Sequence, residues 1–239
     1  MNKLRITPSV IPNLFTAMNM FCGYLSMLNA SEGKYNYAAW LIVIAAIFDA
    51  LDGMVARLTN SSSELGVELD SLSDLVSFGA APAFLIYQTY LKDFNSIGVI
   101  ISSMLMIAGG FRLARFNVQL VGFDKAYFKG LPIPSSAITI AAFILTYFNS
   151  KTGFEQPYSS FIIPLVLLVS FLMVSTIRYD TLPKFTKKGF KEKPLQIIFV
   201  IISIIISFIT VGKALFFIFV FILLFGIFRH VFYILAKKF

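Results

Sequence analysis

From Phe48 to Asp74 the chain reads FDALDGMVARLTNSSSELGVELDSLSD. Asp49 and Asp52 are three residues apart, so on a helix they share a broad face with an axial separation of about 4.5 Å. Asp70 and Asp74, four apart, do the same on the next helix. Glu64 and Glu68 fall in the polar connector or off the Asp70 and Asp74 face, and read as solvated charges. Six of the chain's 12 acidic residues therefore lie in this one stretch, and its two arms belong to two consecutive helices.

The surrounding sequence sets the solvent. Of 239 residues, 58% are hydrophobic and only 13% charged, with 27 phenylalanines and a mean hydropathy of +0.82; one water-soluble core cannot hide that much apolar surface. Several apolar runs approach the roughly 20 residues that a helix needs to cross a bilayer. We expect spans near 14–30, 36–57, 72–91, 96–115, 133–149, 159–177, 194–211 and 214–236, which makes an all-α, polytopic integral membrane bundle of about eight transmembrane helices. The whole of 1–239 reads as a single membrane domain, with an additional C-terminal helix pair near 194–236. The opening MNKLRITPSVIPNLF is too polar for a span and has no separate cleavage region, so it is expected along the interface. Cys22 stands alone and cannot form an intramolecular disulfide, and His230, the single histidine, cannot build a histidine-rich metal centre.

Eight spans put both termini on one side. That side then receives 16 of the 20 Lys and Arg residues, and the other keeps only Lys34, Lys92, Lys151 and Lys213. By the positive-inside rule the richer side is cytoplasmic, and both arms of the acidic stretch open there, at the cell membrane's inner face. The net charge of +8 is thus topological and gives no reason to expect a nucleic-acid partner, since no stacking or groove-reading module is present.

Four carboxylates facing one cleft repel one another unless a cation joins them. Oxygen-only ligation favours a hard ion, and Mg2+ or Mn2+ is the usual companion of phosphate chemistry. Two such ions about 3.5–4 Å apart would clamp a pyrophosphate and stabilise its departing charge. Gly53, Ala56 and Gly66 leave room for a substrate to approach the backbone, and Arg57 offers a donor fork to phosphate. A competing reading has the acids lining the pathway of a divalent-cation channel or transporter.

The spacing is also specific. Asp49, two residues, Asp52-Gly53, two residues, Ala56-Arg57, eight residues, Gly66, three residues, Asp70, three residues, Asp74 is the signature pattern of the CDP-alcohol phosphotransferases, and the chain resembles that membrane family, which transfers a phosphoryl-linked group with release of CMP. The resemblance implies a family catalytic core near 12–177, that Asp49, Asp52 and Asp70 bind divalent ions, that Asp74 completes the metal site and acts as the general base, and that Asp49, Gly53, Ala56, Arg57, Gly66 and Asp70 shape or contact the CDP moiety.

A second resemblance bears on the acceptor. Gly109 to Asn117 (GGFRLARFN), Phe128 to Ala137 (FKGLPIPSSA) and the opening Pro12-Asn13-Leu14-Phe15-Thr16, with Asn19 and Cys22-Gly23, look like the phosphatidylserine synthase branch of the family, archaeal archaetidylserine synthases included. That branch implies CDP-diacylglycerol or CDP-archaeol as donor, L-serine as acceptor, membrane lipids around the protein, and a homodimer. Arg112 and Arg115 would hold a lipid phosphate or the serine carboxylate, Asn117 would orient serine and Lys129 would neutralise phosphate at the cleft edge. Positive-inside anchoring is the alternative for the two arginines. Asn13 is the better nucleotide candidate beside Thr16 and Asn19, for which helix packing competes; Ser135 and Ser136 suit either an acceptor pocket or close packing. Inositol, glycerol phosphate or another alcohol remains the rival acceptor.

Overall fold

The computed structural model of the chain describes residues 10–59, 63–120, 127–180 and 194–236. Its framework is helical. Helix α1 (Val10–Ser31) and α2 (Tyr35–Thr59) form a hairpin. The turn is closed by Gly33 at φ +77 and by the Lys34 N–H donating to the Asn29 carbonyl at 2.9 Å, the left-handed C-terminal stop that glycine favours. Ala30, Ala38, Ala39 and Ala45 let the two backbones approach, and the Ser26 hydroxyl donates to the Ala38 carbonyl at 2.8 Å. In a bilayer, where lipid is as apolar as leucine, such small residues and polar ties do the work that hydrophobic burial does in water.

The next rod is one helix in three parts: α3 (Glu64–Asp74), a π-helical segment (Leu75–Ala80) and α4 (Ala81–Thr89). It starts earlier than hydropathy predicts, because the Ser63 hydroxyl caps it by accepting from the Gly66 N–H at 3.0 Å. Glu64 and Glu68 are therefore helical; both are exposed. A 3-10 turn (Leu91–Phe94) leads into α5 (Asn95–Leu120). Strand β1 (Tyr127–Lys129) precedes α6 (Ile133–Tyr147); the hairpin β2 (Phe148–Asn149) and β3 (Gly153–Phe154) joins it, through a short 3-10 turn, to α7 (Ile162–Val174). Strand β4 (Arg178–Asp180) pairs antiparallel with β1, Lys129 opposite Arg178. Last come α8 (Pro194–Ile209) and α9 (Lys213–Ala236).

Helices α2, α4, α6 and α7, with the π-helical segment, supply the fully buried centre, which includes Ile42, Phe78, Leu85, Ile140, Ile144 and Ile162. Helix α9 packs on α6 and β4, and α8 packs on α9. At the end of the bundle away from the acids, Tyr35, Phe148, Phe154, Tyr147 and Phe216 form an aromatic cluster, with the Tyr147 and Tyr158 rings stacked at 4.2 Å.

Among the described residues, four helices are long and apolar enough to cross a bilayer: Tyr35–Thr59, Glu64–Thr89, Leu91–Val118 and Lys213–Tyr233. The apolar helices Ile133–Tyr147, Tyr158–Val174 and Ile197–Ile209 are shorter. The chain is a polytopic helical membrane protein, as its composition predicts. The two small strand pairs are additions to the all-α expectation. They occupy connections, where a few residues align two chain ends without any hydrophobic period. Ten of the sixteen basic residues assigned to the terminal side, including Lys125 and those from Lys184 to Lys193, lie outside the described residues.

Candidate active site

Asp49 on α2 faces Asp70 and Asp74 on α3, and one carboxylate oxygen from each lies within 4.8 Å of the others. The four-residue step on α3 stacks its two acids on one face, and the α1–α2 hairpin presents Asp49 opposite them. At such distances each pair of charges repels by about 4 kcal/mol at an effective dielectric of 20. Asp74 is almost fully buried, and the Oδ1 atoms of Asp70 and Asp74 are buried without a hydrogen-bond partner. Orphaned carboxylate oxygens converging on a point are the donor set of a hard divalent cation. The residues fit such an ion.

Asp52 is placed differently. It is nearly buried, one turn along α2 from Asp49, and its Oδ2 accepts a hydrogen bond from the Thr16 hydroxyl of α1 at 3.0 Å, outside the three-acid group. Around this second face lie the residues expected to meet a nucleotide. Arg57 is exposed at the end of α2 and folds back over Gly53, where a Cβ would stand 3.7 Å from its guanidinium. A Cβ on Gly66 would stand 3.5 Å from Asn13 Oδ1, so α1 and α3 meet across a glycine. Ala56 is half-buried on α2 nearby. Asn13, Gly53, Ala56, Arg57 and Gly66 thus border the acids on the side of α1.

On the other side opens a cavity of about 800 Å³. Asp49, Asp70 and Asp74 line it together with Arg112, Asn117 and Ser135. Arg112 is almost fully buried in α5, lies within electrostatic reach of Asp74 and Asp49, and carries its guanidinium 5.6 Å from the centre of the Phe116 ring. Asn117 donates through Nδ2 to the Ser71 hydroxyl at 2.9 Å, and Ser71 also lines the cavity. Ser71 was not singled out from sequence; its adjacency to Asp70 is the one signal for it.

Two residues expected as anion binders are used otherwise. Arg115 donates to the carbonyls of Val174 and Lys129, each at 2.7 Å, and of Met173 at 3.1 Å, so it ties the end of α7 to β1. Lys129 is in β1, and neither of the two lines the cavity. Thr16 and Asn19 take part in packing: their carbonyls accept from Ser73 at 3.0 Å and Ser77 at 2.8 Å. Ser136 is buried in α6, whereas its neighbour Ser135 reaches the cavity. Tyr179 of β4 and Arg229 of α9 also line it, far from the acids in sequence and beyond any local motif.

The profile of the CDP-alcohol phosphatidyltransferase family matches residues 9–176. A CDP-diacylglycerol–serine O-phosphatidyltransferase of Helicobacter pylori is 38% identical over 199 residues, which cover 82% of this chain and 81% of that protein. An archaetidylserine synthase of Methanothermobacter thermautotrophicus is 42% identical over 182 residues, 75% of this chain and 73% of that one. A CDP-diacylglycerol–serine O-phosphatidyltransferase of Methanocaldococcus jannaschii is 37% identical over 182 residues, 75% and 77% of the two chains.

Proposed function

The chain belongs to the CDP-alcohol phosphatidyltransferase family, and on that footing we propose that it moves the phosphatidyl-type group of a CDP-activated lipid onto the hydroxyl of L-serine, releasing CMP. It is a phosphatidylserine synthase-like transferase of phospholipid biosynthesis, as its relatives' activities indicate. The observation that carries this reading is the convergence of Asp49, Asp70 and Asp74 on a cavity that also holds the buried Arg112.

Asp49, Asp70 and Asp74 would hold divalent metal, with Asp52 beside them; two Mg2+ or Mn2+ ions per site are the form we favour. When bound, such ions neutralise pyrophosphate oxygens and make CMP a better leaving group. The chain's own residues do the rest. Arg57, Asn13, Gly53, Ala56 and Gly66 border the nucleotide side, where the glycines admit the ligand close to the backbone and the exposed guanidinium meets phosphate. Arg112, fixed and desolvated, places positive charge against the carboxylate of serine or the lipid phosphate. Asn117 and Ser71 offer paired hydrogen-bonding groups to the polar acceptor. Asp74 takes the proton from the serine hydroxyl as its oxygen bonds to the lipid-side phosphorus, and the bond from that phosphorus to the CMP oxygen breaks. No covalent intermediate is needed.

Further parts of the reading extend it to the cell. Eight crossings with both termini inside put this site at the cytoplasmic face of the membrane, and the molecule works as a homodimer. The tails are those of CDP-diacylglycerol or CDP-archaeol. The deciding experiment combines purified protein, each CDP-lipid, Mg2+ or Mn2+, and serine, inositol or glycerol phosphate separately. CMP formed with serine and metal is the expected result; CMP formed only with another alcohol overturns the acceptor, and divalent flux without any CMP overturns the enzyme. Asp74→Asn should abolish CMP release while retaining CDP-lipid binding, and unchanged release would remove the base from Asp74.

A further inference from the structure

The cavity that holds the three acids does not end at them. Its far wall is made by α8 and α9, through Phe199, Val200, Phe219, Ile222 and Phe225, and these helices lie beyond residue 176, where the family match stops. One continuous void is therefore lined by the acids and Arg112 of the family core and, apart from Arg229, by uncharged and mostly apolar residues of the C-terminal pair. We propose that α8 and α9 form the hydrocarbon-binding wall for the tails of the CDP-activated lipid.

The shape of the void supports this occupant. A cavity of about 800 Å³ is large enough for a phosphodiester head and the first part of its chains. Helix α8 packs on α9, and its Leu195, Phe199 and Val200 line the same cavity as the acids. The lining combines both parts of the donor's own chemistry, the cation site with Arg112 on one hand and Pro134, Ile138 and the phenyl rings on the other. A lipid without an anionic phosphate head would match only the second of these.

The wall is also held in register with the acids. Gly226 of α9 packs against the ring of Tyr179, where any Cβ would collide with the ring. The Tyr179 hydroxyl donates to the Leu223 carbonyl at 3.5 Å, and Arg229 donates to the Arg178 carbonyl at 2.9 Å. The Arg178 guanidinium lies 5.3 Å from the centre of the Tyr233 ring. All these ties run from α9 to β4, whose partner β1 is bound through Arg115 to the end of α7. Phe219 and Phe225 of α9 are thus tied through β4 and β1 to the family core that carries the acids, as a site that binds both ends of one molecule requires.

This inference rests on the proposed lipid transfer, and its test separates the two. CDP-diacylglycerol bearing a diazirine in one acyl chain is photolysed with the full-length protein, labelled peptides are mapped by mass spectrometry, and CMP release with serine is measured on the same preparation. Labels on α8 and α9 that excess unlabelled CDP-diacylglycerol suppresses are the expected result. Labels confined to α2, α5 and α6, or labels on α8 and α9 that the competitor leaves unchanged, overturn it. Absence of CMP would count against the transfer reading alone, since the labelling pattern still decides the tail site. As a second arm, Phe225→Ala should raise the KM for a long-chain CDP-lipid about tenfold relative to a short-chain one, with the KM for serine unmoved. An unchanged long-to-short ratio in both Phe225→Ala and Phe199→Ala refutes the assignment.

Discussion

Arg115→Ala deletes three charge-assisted hydrogen bonds at once, those to the carbonyls of Val174, Lys129 and Met173 at 2.7, 2.7 and 3.1 Å. Two of these acceptors close the C-terminus of α7, where carbonyls have no partner within the helix and positive charge is favoured. Each such bond contributes about 1.5–3 kcal/mol when its partner is ionised. Arg115 is only half-buried, so water replaces part of what is lost, and the three together come to about 3 kcal/mol. For a chain of this size that lowers the melting temperature by roughly 6–12 °C. Arg115→Lys, which restores the charge as a compact ammonium that cannot span all three carbonyls, should recover part of the loss. The measurement is thermal unfolding in detergent followed by helical circular dichroism, alongside CMP release at low temperature per folded molecule. We expect the melting shift with KM values for serine and CDP-lipid within about twofold of the parent, because those carbonyls hold the scaffold and not the substrate. An unshifted melt with a tenfold rise in the KM for serine would refute the reasoning and put the guanidinium on the acceptor.

Chelation should abolish CMP release, and Mg2+ or Mn2+ should restore it. Without metal, Asp49→Asn should melt at or above the parent's temperature, since it relieves like-charge repulsion within the three-acid group; with metal the order should reverse, and a variant less stable under both conditions would speak for a structural carboxylate. Gly23→Ala should cost roughly 2 kcal/mol or more, because its Cβ would collide with the Ser77 hydroxyl and backbone, so a melt equal to the parent's would disprove the close approach of α1 to the π-helical segment. Thr16→Val removes the donor to Asp52 and should raise the KM for CDP-lipid several-fold with the KM for serine unchanged; equal rises in both would detach Asp52 from the nucleotide side.

The acid-bearing helices were legible because a four-residue step and a run of apolar neighbours leave few alternatives for Asp70 and Asp74. The separate placement of Asp52 was not. A three-residue step rotates a side chain by about 60° from its predecessor, which is enough for Asp49 to face α3 while Asp52 turns to Thr16 on α1. Arg115 shows a different limit: its charge and position suit an anion as well as the end of α7, and only tertiary contact decides between them. The start of α3 at Glu64 was hidden because hydropathy does not register a cap, although Ser63 with Gly66 three residues later carries one. Tyr179 and Arg229 were out of reach for a simpler reason. Their contribution comes from strand pairing and helix packing across more than a hundred residues of sequence.

The buried Arg112 is brought beside Asp74 where α5 crosses the π-helical segment between Leu75 and Ala80. Ser73 and Ser77 both donate to carbonyls of α1, which fixes one face of the rod against that helix and turns Asp70 and Asp74 toward the cavity. A π turn inserts extra chain into the helical ladder and so rotates the residues beyond it relative to those before. Gly79, at its end, is thereby set against α5, where a Cβ would lie 3.5 Å from Met106 Cα, and a Cβ on Gly109 would lie 3.9 Å from Gly79 Cα. At these two positions neither helix carries a Cβ, so the backbones meet closely, with the Leu75, Met106 and Ile133 side chains packed around the crossing. Arg112 comes three residues after Gly109 and lies on nearly the same face of α5, one turn nearer the acids. The close crossing of the two helices thus brings a fixed cation up to the carboxylates; a methyl group on Gly109 would collide first with the Ile133 side chain of α6, whereas one on Gly79 would make only ordinary contact with Met106 and leave Arg112 beside Asp74.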